Sequence, residues 1–372
     1  MYKESRCSVS AADIYIGLMS GTSADAVDAA MVSFDSDGSV RAIASHSVPM
    51  PEASRRRIIA LQTRTTHDVF DVCELDVELA DIYAAAVSAL LTKTEYTASD
   101  ITAIGNHGQT LLHFPNHQPA FTLQIGDNHR LAELTGIKVI GDFRRRDIAA
   151  GGQAAPLIPA FHKTLVSNKR AVAFLNIGGI ANISCIKEGR VYGFDTGPGN
   201  TLMDAWINQH EGRNYDHDGA WAAEGSVNKK LLTTLRDDPY FKKSAPKSTG
   251  QDYFNLGWLN ERLTDGLPPS DVQRTLLELT ATTAGEAISL TGCESVFVFG
   301  GGRHNCLLME RLRDLLGNVS LEPTDKLGVD PDYMEATAFA WLAKQCLAGL
   351  PGNEPNVTGA RGSRVLGAIF PA

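Results

Sequence analysis

An aspartate beside a glycine-rich turn is the first feature of this sequence that could do chemistry. Residues 194–200 read Phe-Asp-Thr-Gly-Pro-Gly-Asn, after an apolar run and before a predicted helix. A carboxylate at the end of a strand, next to glycines that let backbone approach a ligand, suits a general base or a metal partner. The helix that begins near Asn200 also offers backbone N–H groups to an anion. The alternative is a plain strand–turn–helix connection in which Asp195 is only a turn residue.

A second candidate lies near the N-terminus, where residues 17–23 read Gly-Leu-Met-Ser-Gly-Thr-Ser. The apolar runs on both sides predict a strand, a glycine turn and another strand. The small hydroxyl side chains and backbone N–H groups of such a turn can wrap a phosphate. The common phosphate loop is excluded, because it needs a lysine after its second glycine and opens a helix, whereas Gly21 is followed by Thr22 and a β-like run.

Four further sites, at residues 300–302, 106–110, 142–147 and 335, have two interpretations each. Glycines 300–302 follow an apolar strand and leave room for a flat ring or a phosphate, although glycines after strands are common and the dinucleotide spacing is absent. His107 lies in the sequence Asn-His-Gly-Gln-Thr at the end of a predicted strand. It is either a residue that contacts a ligand or an ordinary loop residue. Residues 142–147 contain three arginines. Either one of them binds a carboxylate or phosphate, or the segment is a solvated turn with internal salt bridges. Glu335 begins a helix, where it satisfies the helix dipole or contacts a ligand.

The composition is that of a globular protein and narrows the classes of partner. Lysine and arginine number 34 and aspartate and glutamate 43, a net charge of −9, which argues against nucleic acid as the main partner. The six cysteines include no close Cys-x-x-Cys pair, so a structural zinc site is not expected and the thiols are predicted to be reduced. We expect no membrane span and a cytoplasmic location, because no apolar run is long enough to cross a bilayer and no leader pattern precedes Asp13.

The apolar pattern predicts an α/β protein with an internal duplication. Strands are predicted at 14–19, 29–34 and 40–46, followed by a long helix at 67–91. A similar strand, glycine, strand, turn, strand order begins at residue 171, which suggests a repeated unit. Further strands are predicted at 101–105, 121–125, 138–140 and 295–299, and further helices at 128–134, 202–210, 227–235, 256–264, 272–290, from 305 and at 334–347.

Together these segments resemble the anhydro-N-acetylmuramic acid kinase family. The resemblance runs in order over essentially the whole chain from residue 14. Its motifs lie at residues 17–23, 106–110, 141–147, 176–182 (Asn-Ile-Gly-Gly-Ile-Ala-Asn), 193–200, 246–250 (Pro-Lys-Ser-Thr-Gly) and 300–302. The first ten or so residues lie outside the match and are expected to be disordered.

The resemblance implies the fold of the sugar kinase/actin/heat-shock ATPase superfamily, with two duplicated α/β domains of the ribonuclease H-like type hinged around an ATP cleft. We expect an N-terminal domain at 1–141, to which 362–372 returns, and a C-terminal domain at 142–361. The family opens the 1,6-anhydro ring of anhydro-N-acetylmuramic acid with water and phosphorylates the freed 6-oxygen from ATP with Mg²⁺. The product is N-acetylmuramic acid 6-phosphate. A bacterial cytosolic enzyme of cell-wall recycling, forming a homodimer, is therefore expected.

The same resemblance assigns roles to individual residues, with the metal ligands left open. Asp195 matches the base that deprotonates the attacking water. Arg144, for the lactyl carboxylate, and Glu335 are expected to contact the sugar, together with His107 and Asp147. The expected ATP-binding residues are Gly21, Thr22, Ser23, Ala24, Asp25, Ala26, Val27, Asp28, Gly197, Gly199, Asn200, Gly300, Gly301 and Gly302.

One departure from the family pattern bears on the first turn. After Gly-Thr-Ser the family usually continues x-Asp-Gly-x-Asp, whereas this chain has Ala26 in place of the glycine. If that position needed a positive φ, alanine would cost about 1 kcal/mol or more, and the loop geometry would differ.

Two other functions also fit the residues: a non-catalytic sugar or nucleotide sensor on the same fold, and a glycosidase that uses paired carboxylates such as Asp195 and Glu335 without ATP.

Overall fold

The protein is described by a computed structural model that covers residues 13–35, 38–63, 66–166, 171–245 and 247–372. The chain divides into two compact α/β units, of which the first is Met1–Leu165 with Gly328–Ala372 and the second is Val166–Leu327. The predicted disorder of the first ten residues lies outside the described residues. The expected domains at 1–141 and 142–361 differ from this division, because residues 142–165 and 328–361 fold with the first unit.

The first unit begins with a sheet and a hairpin, connected by helices. Its strands up to residue 141 are β1 (Ile14–Met19), β2 (Ala26–Phe34), β3 (Val40–Pro49), β4 (Ile101–Asn106), β5 (Gln109–Phe114), β6 (Phe121–Ile125) and β7 (Val139–Gly141). Its helices up to residue 165 are α1 (Glu52–Thr63), α2 (Val69–Leu91), α3 (Asn128–Thr135), α4 (Arg145–Ala149) and α5 (Ile158–Leu165). Within the part of the chain that the structure describes, strands β5 and β6 form a separate two-stranded antiparallel hairpin.

The second unit likewise begins with three strands, which are followed by helices with two further strands between and after them. Its strands are β8 (Val172–Ile177), β9 (Ile180–Lys187), β10 (Arg190–Pro198), β11 (Ser295–Phe299) and β12 (Ser320–Pro323). Its helices are α6 (Thr201–Glu211), α7 (Ala220–Glu224), α8 (Lys229–Arg236), α9 (Leu256–Asn260), α10 (Pro269–Thr291) and α11 (Cys306–Leu316). The chain then returns to the first unit with α12 (Met334–Leu347), α13 (Pro355–Thr358) and β13 (Ala368–Phe370).

The sheets of the two units share a five-strand topology, to which the first unit adds β13 at its edge, antiparallel to β7. The strand order is β13-β7-β4-β1-β2-β3 in the first and β10-β9-β8-β11-β12 in the second. In each, the first three strands form an antiparallel meander, and two later strands join the first strand in parallel on its other side. This shared order confirms the predicted α/β class and the predicted duplication. The pairing of β13 with β7 also places the C-terminal segment in the first unit.

Each unit has its own hydrophobic core. In the first, α2 buries Leu75, Leu79 and Leu90 beneath the sheet. In the second, α10 is buried along most of its length, with residues such as Leu276 and Leu279 in the core. These helices fix the sheets, because burial of apolar surface is the main favourable contribution to folding. Within the described residues, no helix is both long and apolar enough to cross a bilayer.

Helix α12 packs directly on the first sheet at two glycines. A Cβ atom added to Gly17 of β1 would lie 1.7 Å from the carbonyl oxygen of Ala336, and one added to Gly105 of β4 would lie 2.0 Å from that of Phe339. Only glycine permits this approach of helix and sheet backbones. Helix α12, which carries Glu335 in its first turn, is therefore held at a fixed distance from β1 and β4.

The element bounds predicted from sequence agree closely with the structure, with informative exceptions. The bounds of β1 and α12 are as predicted, whereas α9 ends at Asn260 and not near residue 264. The sequence analysis did not predict α1, β5, α4 or α5, which are short or polar. It also placed Asp195 beyond its strand, but β10 continues to Pro198.

Candidate active site

Asp195 lies inside β10, next to an irregularity in the strand. It pairs with Asn182 of β9, while Gly197 pairs with the next β9 residue, Ala181, so Thr196 is an extra residue in the strand. The Thr196 hydroxyl donates to the Ala181 carbonyl oxygen at 3.2 Å, which turns this side chain into the protein. A bulge of this kind re-aims the neighbouring side chain and is common beside active sites.

The environment of Asp195 makes it a stronger base than an ordinary aspartate. Its Oδ2 accepts a hydrogen bond from the Thr249 backbone N–H at 2.9 Å. Burial raises the pKa of Asp195 to about 6, although the bond from Thr249 opposes that rise. The carboxylate is thus ionised at neutral pH, yet its pKa is near the pH at which a general base works best.

The turn after β10 is closed by bonds within the protein. Gly199 N and Thr201 N donate to the Gly179 carbonyl oxygen at 2.8 and 3.1 Å, and Asn200 N donates to that of Gly178 at 2.8 Å. A Cβ on Gly199 would lie 2.1 Å from the Gly178 oxygen, so glycine is needed here for packing. These three N–H groups, at the entry to the helix, therefore already have acceptors within the protein and are not available to an anion.

The three glycines after β11 differ from one another. A Cβ on Gly300 would lie 2.3 Å from Oδ1 of Asn176, and one on Gly302 would lie 2.2 Å from Cγ2 of Ile177. Gly300 also has a φ of 83°, which favours glycine. By contrast, the nearest atom to a Cβ on Gly301 is an amide nitrogen 4.0 Å away. Two of the glycines are required by packing against β8, and Gly301 alone leaves open backbone for a ligand.

The turn between β1 and β2 is held from behind by side chains of the first unit. Gln109 Nε2 donates to the Gly21 carbonyl oxygen at 3.1 Å, and its Oε1 accepts from the Ser20 hydroxyl at 2.5 Å. Arg55 Nε donates to Oδ1 of Asp25 at 3.0 Å on the other side. A Cβ on Gly21 would have nothing closer than 4.0 Å, so the outer face of this backbone is open. The predicted phosphate turn therefore has a fixed shape and an accessible surface.

The residues of this turn divide into accessible and buried positions. Thr22 is exposed and Ser23 half-buried, whereas Ala24 and Val27 have no accessible side-chain surface. The positive φ falls on Ala24, at 49°, and Ala26 is the first residue of β2. The replacement of the family glycine by Ala26 therefore carries no positive-φ strain.

Arg144 and His107, two of the predicted sugar-binding residues, contact each other directly. Arg144 donates to Nε2 of His107 from Nε at 3.0 Å and from Nη2 at 2.8 Å. Because Nε2 accepts, the proton of neutral His107 is on Nδ1. Burial, followed by the charge of Arg144, lowers the pKa of His107 well below its ordinary value. The His107 ring packs against Phe339 with centroids 4.7 Å apart, which fixes both side chains.

Asp147 supports Arg144 from inside the fold. Its side chain has no accessible surface, and Oδ2 accepts from Ala154 N at 2.7 Å while Oδ1 accepts from Asn353 Nδ2 at 2.7 Å and Thr358 Oγ1 at 2.9 Å. The carbonyl oxygen of Ala154 in turn accepts from Nη1 of Arg144 at 2.5 Å. Asp147 thus positions the loop that holds Arg144, and its own oxygens are occupied by protein donors.

Glu335, at the first turn of α12, is electrostatically linked to the same group. Burial raises the pKa of Glu335, the charge of Arg144 lowers it, and Asp28 raises it further. Burial also lowers the pKa of Arg144 to about 10, against the stabilising charges of Glu335 and Asp147, so Arg144 is still a cation at neutral pH. The first unit therefore brings together Glu335, Arg144, His107 and Asp28, from segments more than 300 residues apart in sequence.

The side chains described contain no group of three or more histidine, cysteine, aspartate or glutamate residues that could hold a metal ion. The cysteines at 73, 185, 293, 306 and 346 are free thiols. A Mg²⁺ ion that is carried by nucleotide phosphates and water needs only one or two carboxylates, so this arrangement is compatible with such an ion.

A family model for anhydro-N-acetylmuramic acid kinases matches residues 13–372. The chain belongs to the anhydro-N-acetylmuramic acid kinase family. This confirms the resemblance seen in the motifs and the expected class of enzyme, a kinase that acts on a sugar.

Among solved structures, this kinase is similar to three proteins at low sequence identity. Component A of the (R)-2-hydroxyglutaryl-CoA dehydratase of Acidaminococcus fermentans is 12% identical, with 88% of this chain and 96% of that chain covered and a TM-score of 0.47. A ROK family glucokinase from Streptomyces griseus, in complex with glucose and AMPPNP, is 15% identical. The match covers 89% of this chain and 99% of that chain, with a TM-score of 0.41. The activator of the 2-hydroxyisocaproyl-CoA dehydratase from Clostridium difficile, with bound ADPNP, is 11% identical. The match covers 88% of this chain and 92% of that chain, with a TM-score of 0.44.

Several supporting residues of the kinase were missed by sequence reasoning. Thr249, whose backbone N–H donates to Asp195, lies in the motif at 246–250. The motif marked this segment, but the sequence did not show that Asp195 is its partner. Gln109 lies in the motif at 106–110, and its bond to the Gly21 turn was equally hidden. Arg55 and Tyr240 stand in no motif, and only the fold shows their contacts with Asp25 and Asp195.

Proposed function

We propose that this kinase cleaves the 1,6-anhydro ring of anhydro-N-acetylmuramic acid with water and phosphorylates O6 from ATP, producing N-acetylmuramic acid 6-phosphate. The family supports kinase activity on this sugar. The single observation that best supports the hydrolytic half of the reaction is Asp195, a partly buried carboxylate with a pKa of about 6 and a backbone donor on one oxygen only. Ring opening by water needs such a base, whereas simple phosphoryl transfer depends mainly on positioning and charge neutralisation.

The proposed reaction balances as follows. Asp195 takes one proton from water while the water oxygen bonds to the anomeric carbon, and the bond from that carbon to the bridging oxygen breaks. The bridging oxygen becomes O6 and takes the γ-phosphoryl group of ATP, and ADP leaves. The proton on Asp195 then passes to solvent. General-base assistance of this kind contributes about 10²- to 10⁴-fold in rate.

On the sugar side, Arg144 is the proposed partner of the lactyl carboxylate. Its guanidinium is charged, half-buried and held on two sides by His107 and Ala154, so little conformational freedom is lost when it binds a carboxylate. His107 acts by orienting Arg144, and Asp147 acts through Ala154. Glu335 is proposed to contact the sugar directly, because it is half-buried and shares the electrostatic environment of Arg144.

On the nucleotide side, the open backbone at Gly21 and Gly301 is proposed to hold ATP, together with the hydroxyls of Thr22 and Ser23. Both backbones lack a nearby atom where a Cβ would point, which fits close approach by a ligand. Gly197, Gly199, Asn200, Gly300 and Gly302 shape the surrounding turns. Mg²⁺, when bound with ATP, would neutralise charge on the phosphates during transfer.

We further propose that the protein is a cytoplasmic homodimer and that it acts in cell-wall recycling.

Mass spectrometry of the sugar after incubation with ATP and Mg²⁺ tests this function. We expect a product that has gained one water and one phosphoryl group together. Asp195→Asn should lose product formation by about 10²- to 10⁴-fold with its fold retained. The matched control is Asp237→Asn, which removes an exposed carboxylate of the same unit and should leave turnover unchanged.

The rival functions predict other results in the same assay. Ring opening without ATP would show a glycosidase, and ligand binding without any product would show a sensor. Wild-type turnover in Asp195→Asn would show that Asp195 is not the base.

A further inference from the structure

A segment of the second unit, described at residues 238–245 and 247–254, holds Asp195 by three hydrogen bonds. Asp195 N donates to the Lys247 carbonyl oxygen at 3.0 Å, and Thr249 N donates to Oδ2 at 2.9 Å. The third bond comes from a side chain: the hydroxyl of Tyr240 donates to the carbonyl oxygen of Asp195 at 2.6 Å. Both backbone polar groups of Asp195 and one carboxylate oxygen are therefore bound to this segment.

The Tyr240 side chain is itself held rigidly. It is 2% exposed, and its ring packs edge-on against Phe254 with centroids 5.4 Å apart. Its backbone N–H donates to Oδ1 of Asp238 at 2.8 Å. Asp238 also accepts from Trp258 Nε1 at 2.8 Å and Arg262 Nη2 at 3.0 Å. The hydroxyl of Tyr240 therefore has a defined position from which to hold Asp195.

We propose that Tyr240 is a positioning residue, whose hydroxyl fixes the backbone of Asp195 so that Oδ2 stays on Thr249 and Oδ1 is presented to the attacking water. No donor among the described residues is bonded to Oδ1 of Asp195. A base placed in this way has one oxygen occupied and one available, which is the arrangement that directs proton transfer from a single water. This inference rests on the proposed function.

The charged and titratable groups around Asp195 indicate what loss of the hydroxyl would do. Burial and the charge of Asp195 raise the pKa of Tyr240, so its hydroxyl is a neutral donor at every working pH. The ammonium groups of Lys247 and Lys243 lie 4.8 and 5.6 Å from the centroid of the Tyr240 ring, and burial lowers the pKa of Lys247. Without the Tyr240 hydroxyl, we expect Asp195 to be less tightly held and better hydrated, so its pKa should fall.

Steady-state kinetics of Tyr240→Phe test the proposal. We expect kcat to fall about 10- to 100-fold, with KM for sugar and for ATP changed less than about 2-fold, because misplacement of the base affects the chemical step and not binding. The acid limb of the pH–rate profile should move to lower pH. The matched control is Tyr253→Phe, which removes a hydroxyl bonded to Asp238 at 2.8 Å but not to Asp195, and should leave the acid limb in place.

A titration that needs no turnover separates this proposal from the proposed function. The carboxyl carbon of Asp195, labelled with ¹³C and assigned by its absence in Asp195→Asn, should titrate at lower pH in Tyr240→Phe than in the wild type. If this shift is seen but the wild type forms no phosphorylated sugar, the proposed function fails and the positioning role stands. An unchanged titration together with an unchanged kcat would overturn the positioning role.

A second variant covers the case in which Tyr240→Phe does not fold. Replacement of Tyr240 by 3,5-difluorotyrosine keeps the ring and the hydroxyl but makes the hydroxyl ionise more readily. Activity should then fall at high pH, where the ionised oxygen can no longer donate to Asp195. A basic limb identical to that of the wild type would overturn the proposal.

Discussion

Arg144 donates two hydrogen bonds to one nitrogen of His107, from Nε and from Nη2. The histidine is neutral and accepts through Nε2, so it orients the guanidinium without neutralising it. The third anchor, Ala154, is held by Asp147. A cation that is half-buried, oriented and still charged is well suited to recognise a carboxylate.

Replacement of Arg144 should therefore weaken sugar binding specifically. We expect Arg144→Lys to raise KM for the sugar about 10- to 100-fold, because a hydrogen-bonded charge pair contributes about 1.5–3 kcal/mol, with little change in KM for ATP. The neighbouring Arg146 is exposed, so Arg146→Lys is the matched control and should change neither constant. Equal KM values for the two variants would remove Arg144 from the sugar site.

Asp195 should reduce the stability of the fold at neutral pH. The pKa of Asp195 is raised to about 6, so its protonated form favours folding and its ionised form opposes it. The stability that the protonated form contributes is fully present below pH 3.8 and is lost as the pH rises through 6. A shift of this size corresponds to at most about 3 kcal/mol. We expect Asp195→Asn to increase the free energy of unfolding at pH 8 by about 1–2 kcal/mol, and the gain to vanish near pH 4.

Urea unfolding at several pH values measures this effect. The control is Asp237→Asn, whose exposed ion pair with Lys242 should contribute little at any pH. A gain in Asp195→Asn that did not depend on pH would mean that the stabilisation does not come from the loss of a buried charge.

Gly301 and Gly302 should respond differently to the same substitution. Gly302→Ala forces a Cβ into Ile177 and should lower the free energy of unfolding by about 1–3 kcal/mol. Gly301→Ala adds a methyl group to open backbone, so it should leave stability within about 1 kcal/mol of the wild type. We expect Gly301→Ala to raise KM for ATP, measured by ADP release. If ATP binding is unaffected, the open backbone at Gly301 is not part of the nucleotide site.

The contact of α12 with the first sheet should be among the least tolerant of any added atom. Gly17→Ala would place a Cβ 1.7 Å from the Ala336 carbonyl oxygen, and separating a helix from a sheet should cost about 3 kcal/mol or more. Gly285→Ala in α10 is the matched control, since its Cβ would lie 3.5 Å from Leu315, an ordinary contact, and alanine favours a helix. The midpoint of urea unfolding should fall for the first variant and hold or rise for the second.

Much of the fold could be predicted because it depends on local pattern. Strand β1 and helix α12 have apolar spacing that the sequence shows directly, and their bounds were as predicted. Helix α4 and strand β5 were missed, because α4 is five residues of mostly charged sequence and β5 contains polar residues that face a hairpin partner. Their conformations are decided by neighbours distant in sequence.

The sequence by itself determined the family, the duplicated α/β plan and the candidate groups, since motifs and hydrophobic periodicity are properties of neighbouring residues. Only the tertiary structure decided what each group does. It showed that Asp147 is an internal support, that the N–H groups of the turn before α6 are occupied, and that Tyr240 holds Asp195. The physical reason is that hydrogen-bond partners and burial depend on residues brought together from far apart in the chain, as Tyr240 and Asp195 are.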